Sequence, residues 1–154
     1  VLDFMDQYPA DIVAWVNPIS PLQTGNEIKK VIEYFVAEGL DSLITVKDEP
    51  VHCTFDGNPI NFSYTGKFAQ TQDLTPVQPF VYSVMVWRVE AFRKAMKENG
   101  YAFFCGKVGT YTVSKLSAII VKTEMDLKIV DNIQRSIEAK NMQADYDQLV
   151  KGAK

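Results

Sequence analysis

Two apolar periods alternate along this chain, and each switch between them marks an element. Ile12 to Val16 (I-V-A-W-V) is a continuous apolar run of strand length, and Asn17 to Gln23 (N-P-I-S-P-L-Q) interrupts it with two prolines. From Thr24 the apolar positions recur at Ile28, Val31, Ile32, Phe35 and Val36, which is one face of a helix. Thr24 and Glu27 form a T-x-x-E capping box at its start, and Gly39 ends it. Strand, polar loop and amphipathic helix make half of a βαβ unit. Sheets built from such units bind ligands at the carboxyl ends of their strands, where Asn17 to Gln23 would lie. Pro18 and Pro21 stiffen this loop, while Asn17, Ser20 and Gln23 bring hydrogen-bonding groups suited to a small polar molecule. A plain tight turn would use the same residues.

Elsewhere the pattern reads as follows. Val1, Leu2, Met5 and Tyr8 have helical spacing up to Pro9 with no N-cap before them, so the chain reads as starting inside an element. Asp41 to Val46 predicts a strand. Val51 to Phe55 and Ile60 to Phe62 flank D-G-N-P and predict a hairpin, followed by a polar, irregular stretch over 64–79 that suits an active-site loop or an exposed crossing. Phe80 to Val89 predicts a long strand, and Glu90 to Asn99 a helix stopped by Gly100. Ala102 to Lys107 and Thr110 to Val113 read as short strands around Gly109, and Ser117 to Val121 as a strand buried on both faces. Thr123 caps a last helix, with Asp126 completing the box and Leu127, Val130, Ile133 and Ile137 facing inward. The stripe is lost beyond Asn141, which makes 1–142 one domain and 143–154 a polar tail. The alternation predicts an α/β fold with a mostly parallel sheet and an inserted β-hairpin.

Composition narrows the function. The 154 residues are 47% hydrophobic, enough for one core, and the net charge of −3 lacks the basic excess of a nucleic-acid binder. No apolar run approaches the roughly 18 residues of a membrane span, and no secretory leader pattern opens the chain. Cys53 and Cys105, both in apolar surroundings, read as free thiols of a cytoplasmic protein. His52 is the single histidine, which excludes a two-histidine relay, and it reads as a strand residue. Neither G-x-G-x-x-G nor G-x-x-x-x-G-K-[ST] occurs.

Five segments carry a resemblance: P-I-S-P-L-Q (Pro18 to Gln23), D-S-L-I-T-V (Asp41 to Val46), T-Q-D-L (Thr71 to Leu74), F-F-C-G-K-V-G-T-Y-T-V-S-K-L (Phe103 to Leu116) and K-T-E-M-D-L (Lys122 to Leu127). In this order and spacing, over most of 11–140, the chain resembles the acylneuraminate cytidylyltransferases. That family makes CMP-activated sialic acids and related nonulosonic acids. The resemblance implies a Rossmann-like nucleotidyltransferase fold, with CTP and an acidic sugar as partners. It implies that Asn17 (commonly Gln in the family), Ser20 and Gln23 orient the sugar. Gln72 and Asp73 would approach it too, although here T-Q-D-L-T-P displaces the family's proline by one residue. Tyr82 and Ser83 stand where the family often has Asn-Gly, a change that remodels the pocket floor. Arg88 and Lys107 would meet a sugar carboxylate. The 51–63 hairpin region would form a homodimer. A preceding segment with a glycine- and basic-rich loop would grip the nucleotide, so this chain is expected to supply the sugar-binding half and to be inactive alone.

The metal motif is where the resemblance breaks. The family holds Mg²⁺ with the aspartates of D-I-D-T-E-x-D-L, beside phosphates that gather negative charge in the transition state. Here Ile120 and Lys122 take those two positions, one without a donor and one a cation. Lys122 would then neutralise phosphate charge itself, or the metal would be held by another segment, or catalysis would be lost in a sugar- or nucleotide-binding subunit of surface-polysaccharide synthesis. A solvated lysine at a helix start is the fourth reading.

Overall fold

The computed structural model describes residues 1–151, with side chains through Ala139. Helix α1 (Leu2–Gln7) leads into β1 (Ile12–Val16), α2 (Gly25–Ala37) and β2 (Ser42–Val46). A small hairpin of β3 (Thr54–Phe55) and β4 (Asn58–Pro59) follows, then a 3₁₀ turn at Thr71–Asp73. The chain continues through β5 (Phe80–Arg88), α3 (Val89–Asn99), β6 (Val108–Thr112) and α4 (Glu124–Lys151). The main sheet has the order β1-β5-β2-β6. β2 and β6 are parallel, whereas β5 is antiparallel to both β1 and β2, so three strands point one way and β5 returns between them. This is the α/β architecture that the alternation predicts.

Strand alternation builds a core on each side of the sheet. Ile44, Met85 and Trp87 face one way and pack with Met5 of α1 and Phe92 of α3. Leu43, Val84 and Val86 face the other way and receive Val31 and Phe35 of α2. β2 is buried at every residue, and its two polar side chains are hydrogen-bonded, the Ser42 hydroxyl to the Cys105 carbonyl and the Thr45 hydroxyl to the Val84 carbonyl. Thr24 Oγ1 accepts the Glu27 amide at 3.2 Å, which caps α2 as expected. Gly100 ends α3 with φ of 79°, a left-handed cap that suits glycine.

Several expectations require correction. The hairpin is smaller: Asp56 and Gly57, both at positive φ, form its two-residue turn, and Asn58–Pro59 is strand rather than turn. Residues 102–107 are not a strand, and Gly109 lies inside β6, where a Cβ would stand 2.4 Å from Leu40. Ser117 to Val121 is not a strand either. The Ala118 and Ile119 amides close helical turns on Ser114 and Leu116, and the Val121 amide crosses to Ile19. Val36 is exposed at the end of the α2 stripe. Of the four expected inward positions on α4, Val130 is buried and Ile133 half-buried, while Leu127 and Ile137 are exposed. The α4 backbone continues past Asn141 to Lys151, and the last three residues of the expected tail lie outside the described residues.

The excursion between β2 and β5 is closed by a narrow neck. Glu49 and Val77 exchange both backbone hydrogen bonds, at 3.0 and 3.1 Å, and the Lys47 amide bonds Pro79.

Candidate functional site

The polar loop after β1 is built as two successive turns. The Asn17 carbonyl accepts the Ser20 amide and the Ser20 carbonyl accepts the Gln23 amide, while Asn17 Oδ1 accepts the Ile19 amide at 3.3 Å. Its far side is tied to the segment that follows β6. Ser20 is buried and its hydroxyl donates to the Ser117 carbonyl, and the Val121 amide donates to the Ile19 carbonyl at 2.8 Å. Glu27 completes this seam. Its carboxylate accepts the Ser114 amide at 2.6 Å, the Ser117 hydroxyl, and Gln23 Nε2 at 3.0 Å. Glu27 therefore does not reach back to the cap as the box pattern predicts; only the Thr24 half of the box forms. Gln23 Oε1 is buried without a hydrogen-bond partner among the described residues.

At the carboxyl ends of β2 and β6 a cleft of about 560 Å³ opens between Lys47, Asp48 and Glu49 on one wall and residues Thr112 to Lys115, Ala118 and Ile119 on the other. Asp48 Oδ1 accepts from Gln78 Nε2 at 2.8 Å and from Thr112 Oγ1 at 3.2 Å, and Lys47 pairs with Glu49. Lys115 is exposed at its rim. A slightly larger depression, about 610 Å³, lies against Ile60, Asn61 and residues 75–79, but it has no charged group in its wall. The cleft with both signs of charge is the better place for a polar ligand.

Tyr82 and Ser83 form a bulge in β5. Pairing with β2 slips between Ile44, opposite Met85, and Val46, opposite Phe80. Tyr82 sits at φ of 60°, and Ser83 is buried with its hydroxyl 3.0 Å from Thr45 Oγ1. The Asn17 amide donates to the Ser83 carbonyl at 2.8 Å, so the bulge abuts the polar loop. Asparagine, which tolerates positive φ, would adopt the Tyr82 backbone at less cost.

Lys122 is exposed at the start of α4. Its amide, the Thr123 amide and the Thr123 hydroxyl all donate to Asp126, at 3.0, 2.8 and 2.9 Å. The Lys122 amide leads these bonds in holding the Asp126 carboxyl below its usual range. Asp126 is thus spent on capping. Ile120 and Lys122, which the resemblance would set at metal-ligand positions, bring no carboxylate and so do not fit Mg²⁺; no group of three metal-binding side chains occurs among the described residues.

The structure therefore brings Asn17, Ser20, Gln23, Tyr82 and the Lys122 segment to one edge. It does not bring Arg88 there. Arg88 pairs with Ile12 at the amino end of β1, bonds Asp41 at 3.5 Å and lies over the Phe35 ring. Lys107 shares that opposite edge, its Nζ on the Glu38 carbonyl. Gln72 and Asp73 are exposed on the excursion, and the Gln72 amide donates to Gln70. Sequence reasoning missed Asp48, Thr112, Ser114 and Lys115. The K-D-E run directly after a buried strand was the available signal.

No family model matches the chain, and no curated protein matches it. Among solved structures it is similar to the bifunctional IspDF from Campylobacter jejuni, with a TM-score of 0.57 and 14% identity, over 84% of this chain and 33% of that one. The chain thus spans a third of IspDF's length. The likeness shows the fold alone, a mixed α/β, Rossmann-like one that this chain shares with that structure.

Proposed function

We propose that this chain is the sugar-binding portion of a nucleotidyltransferase that activates an acidic sugar with CTP, giving a CMP-sugar and pyrophosphate. The observation that carries the reading is the seam itself. On a nucleotidyltransferase fold, the Asn17–Gln23 loop, the Tyr82–Ser83 bulge and the 114–122 segment are hydrogen-bonded together at the carboxyl edge of the sheet. Asn17 and Tyr82 would face the sugar, with Ser20 and Gln23 holding the loop. Lys115 would meet its carboxylate, and Lys122 the phosphates. In the reaction a sugar hydroxyl oxygen attacks the α-phosphorus, the bond to the β-phosphate bridge breaks, and the hydroxyl proton passes to solvent. Exposed Phe55, Ile60, Tyr64 and Phe68 on the excursion support a homodimer through that region. No helix among the described residues is long and apolar enough to cross a membrane, and the free thiols support a cytoplasmic site of action.

The test is pyrophosphate release by the full-length protein with CTP, Mg²⁺ and a panel of nonulosonic acids. Release with any of them supports the transferase. A second reading, favoured by Ile120 and Lys122 in the metal positions, is a non-catalytic sugar or nucleotide binder. Calorimetric binding of CTP or sugar without pyrophosphate release would select it. No binding and no release would exclude both.

A further inference from the structure

We propose that the cleft at the carboxyl ends of β2 and β6 takes a zwitterionic ligand, with its anionic group on Lys115 and a free ammonium on Asp48. This rests on the acidic-sugar reading above and narrows it to acidic sugars that carry an unacylated amine. At about 560 Å³ the cleft has room for one monosaccharide. Its charges do not cancel among themselves. Lys47 is paired with Glu49, whereas Asp48 and Lys115 form no ion pair among the described residues. One carboxylate and one ammonium, both exposed, are therefore left over on the two walls of a single cavity.

Both walls are held in place before a ligand arrives. On the first, the Lys47 amide bonds Pro79 and Glu49 exchanges both backbone bonds with Val77, so the backbone is clamped on either side of Asp48. The Asp48 side chain is fixed as well, because its Oδ1 accepts from Gln78 Nε2 at 2.8 Å and from Thr112 Oγ1 at 3.2 Å. Both donors are neutral. They orient the carboxylate without offsetting its charge, and they leave Oδ2 for a ligand. On the second wall the Val113 amide bonds Val46, Glu27 holds the Ser114 amide, and the Ser114 carbonyl accepts the Ala118 amide, so Lys115 rises from a fixed turn. Exposed ion pairs gain little when two mobile side chains must be ordered to form them. An ammonium that meets the prearranged Asp48 avoids much of that cost and makes a charge-assisted bond. Between the two charges lie buried Val113 and half-buried Ala118 and Ile119, an apolar floor for a carbon skeleton. A neutral sugar leaves both charges unanswered, and an acylated amine brings no cation to Asp48.

The experiment is calorimetry of the full-length protein with three probes. They are the 2-O-methyl glycoside of neuraminic acid, whose amine is free, its N-acetyl counterpart, and the methyl ester of the first, which lacks the anionic group. Wild type should bind the free-amine acid about tenfold tighter than either of the others. Asp48→Asn keeps an acceptor oxygen for Gln78 and Thr112 and removes only the charge. It should therefore melt within about 2 °C of wild type while losing the preference for the free amine over the N-acetyl form. Lys115→Met should weaken both carboxylate-bearing probes about tenfold and leave the ester unchanged. A wild type that binds the N-acetyl form as tightly as the free amine would overturn the zwitterion assignment and leave the acidic-sugar reading standing. A folded Asp48→Asn protein that keeps the preference, or a wild type that does not separate the acid from its ester, would overturn it as well. A wild type that binds none of the three would overturn both readings together.

Discussion

The Glu27 carboxylate accepts the Ser114 backbone amide at 2.6 Å across 87 positions of sequence. This contact, with the Ser117 hydroxyl on the same group, joins the first turn of α2 to the segment leaving β6. Charge-assisted bonds of this kind shape an edge because they fix backbone as well as side chain. Removing the carboxylate strands a backbone donor and frees the loop that Gln23 holds.

Glu27→Ala should therefore cost about 2–3 kcal/mol, since hydrogen bonds to charged groups carry the larger values. Thermal unfolding should fall by about 5–10 °C. Hydrogen exchange at the Ser114 amide should accelerate ahead of the core. Unchanged exchange at Ser114 would mean that the carboxylate is not the strut described here.

Asp126 predicts an acid limit for the start of α4. Its carboxyl titrates below the usual range because the Lys122 amide, then the Thr123 hydroxyl and amide, bond the ionised form. A folded value below the unfolded one means that the cap is fully present above the unfolded value. It is lost as pH falls through the lowered one. Following the Thr123 amide resonance through an acid titration should give a midpoint below that of an ordinary carboxylate. A midpoint at the ordinary value would refute the capping geometry.

The two thiols should react at different rates. Cys53 is half-buried, whereas Cys105 is buried, and burial first and the Asp41 charge second push its thiol up. A disulfide reagent such as Ellman's should label one cysteine quickly and the second only on unfolding. Cys53→Ser should abolish the fast phase; survival of that phase would assign it to Cys105.

At the opposite sheet edge, Gly106 has φ of +57°, and a Cβ there would stand 2.2 Å from Asp41 Oδ2. Gly106→Ala should destabilise by about 2–4 kcal/mol. Arg88→Ala, which removes the Asp41 pair and the contact over Phe35, should cost about 1–2 kcal/mol. Arg88→Ala should leave sugar affinity unchanged, and an affinity loss in calorimetry at undiminished folding would return Arg88 to the site.

Local signals were legible where the controlling physics was local. The β1–α2 unit, the Thr24 cap, the β5 run and the Gly100 stop are all readable because each depends on a few neighbouring residues. Glu27 was read as a capping residue because its partners, Ser114 and Ser117, are distant in sequence and no spacing rule links them. Arg88 was misplaced for a related reason. β5 is nine residues long and antiparallel, so its two ends reach opposite edges, and strand direction is a tertiary property. The Phe103–Gly106 stretch has a strand's composition, yet its aromatics pack against Trp87 and Phe80 instead of extending a ladder. The conformation of Tyr82 has no signature in the sequence, because tyrosine's β preference argues for an ordinary strand.

Because Glu49 and Val77 exchange both backbone bonds, the chain leaves the sheet and re-enters it through a single doorway. Most of what is strung between them lies outside the sheet, with Leu74 its buried anchor, and the sheet does not register its length. Closing a longer loop at such a point costs little more than closing a short one. The stretch is therefore an exchangeable appendage. Lineages can lengthen, trim or replace it, changing what stands beside the cleft, while β2, β5 and the edge they build stay as they are.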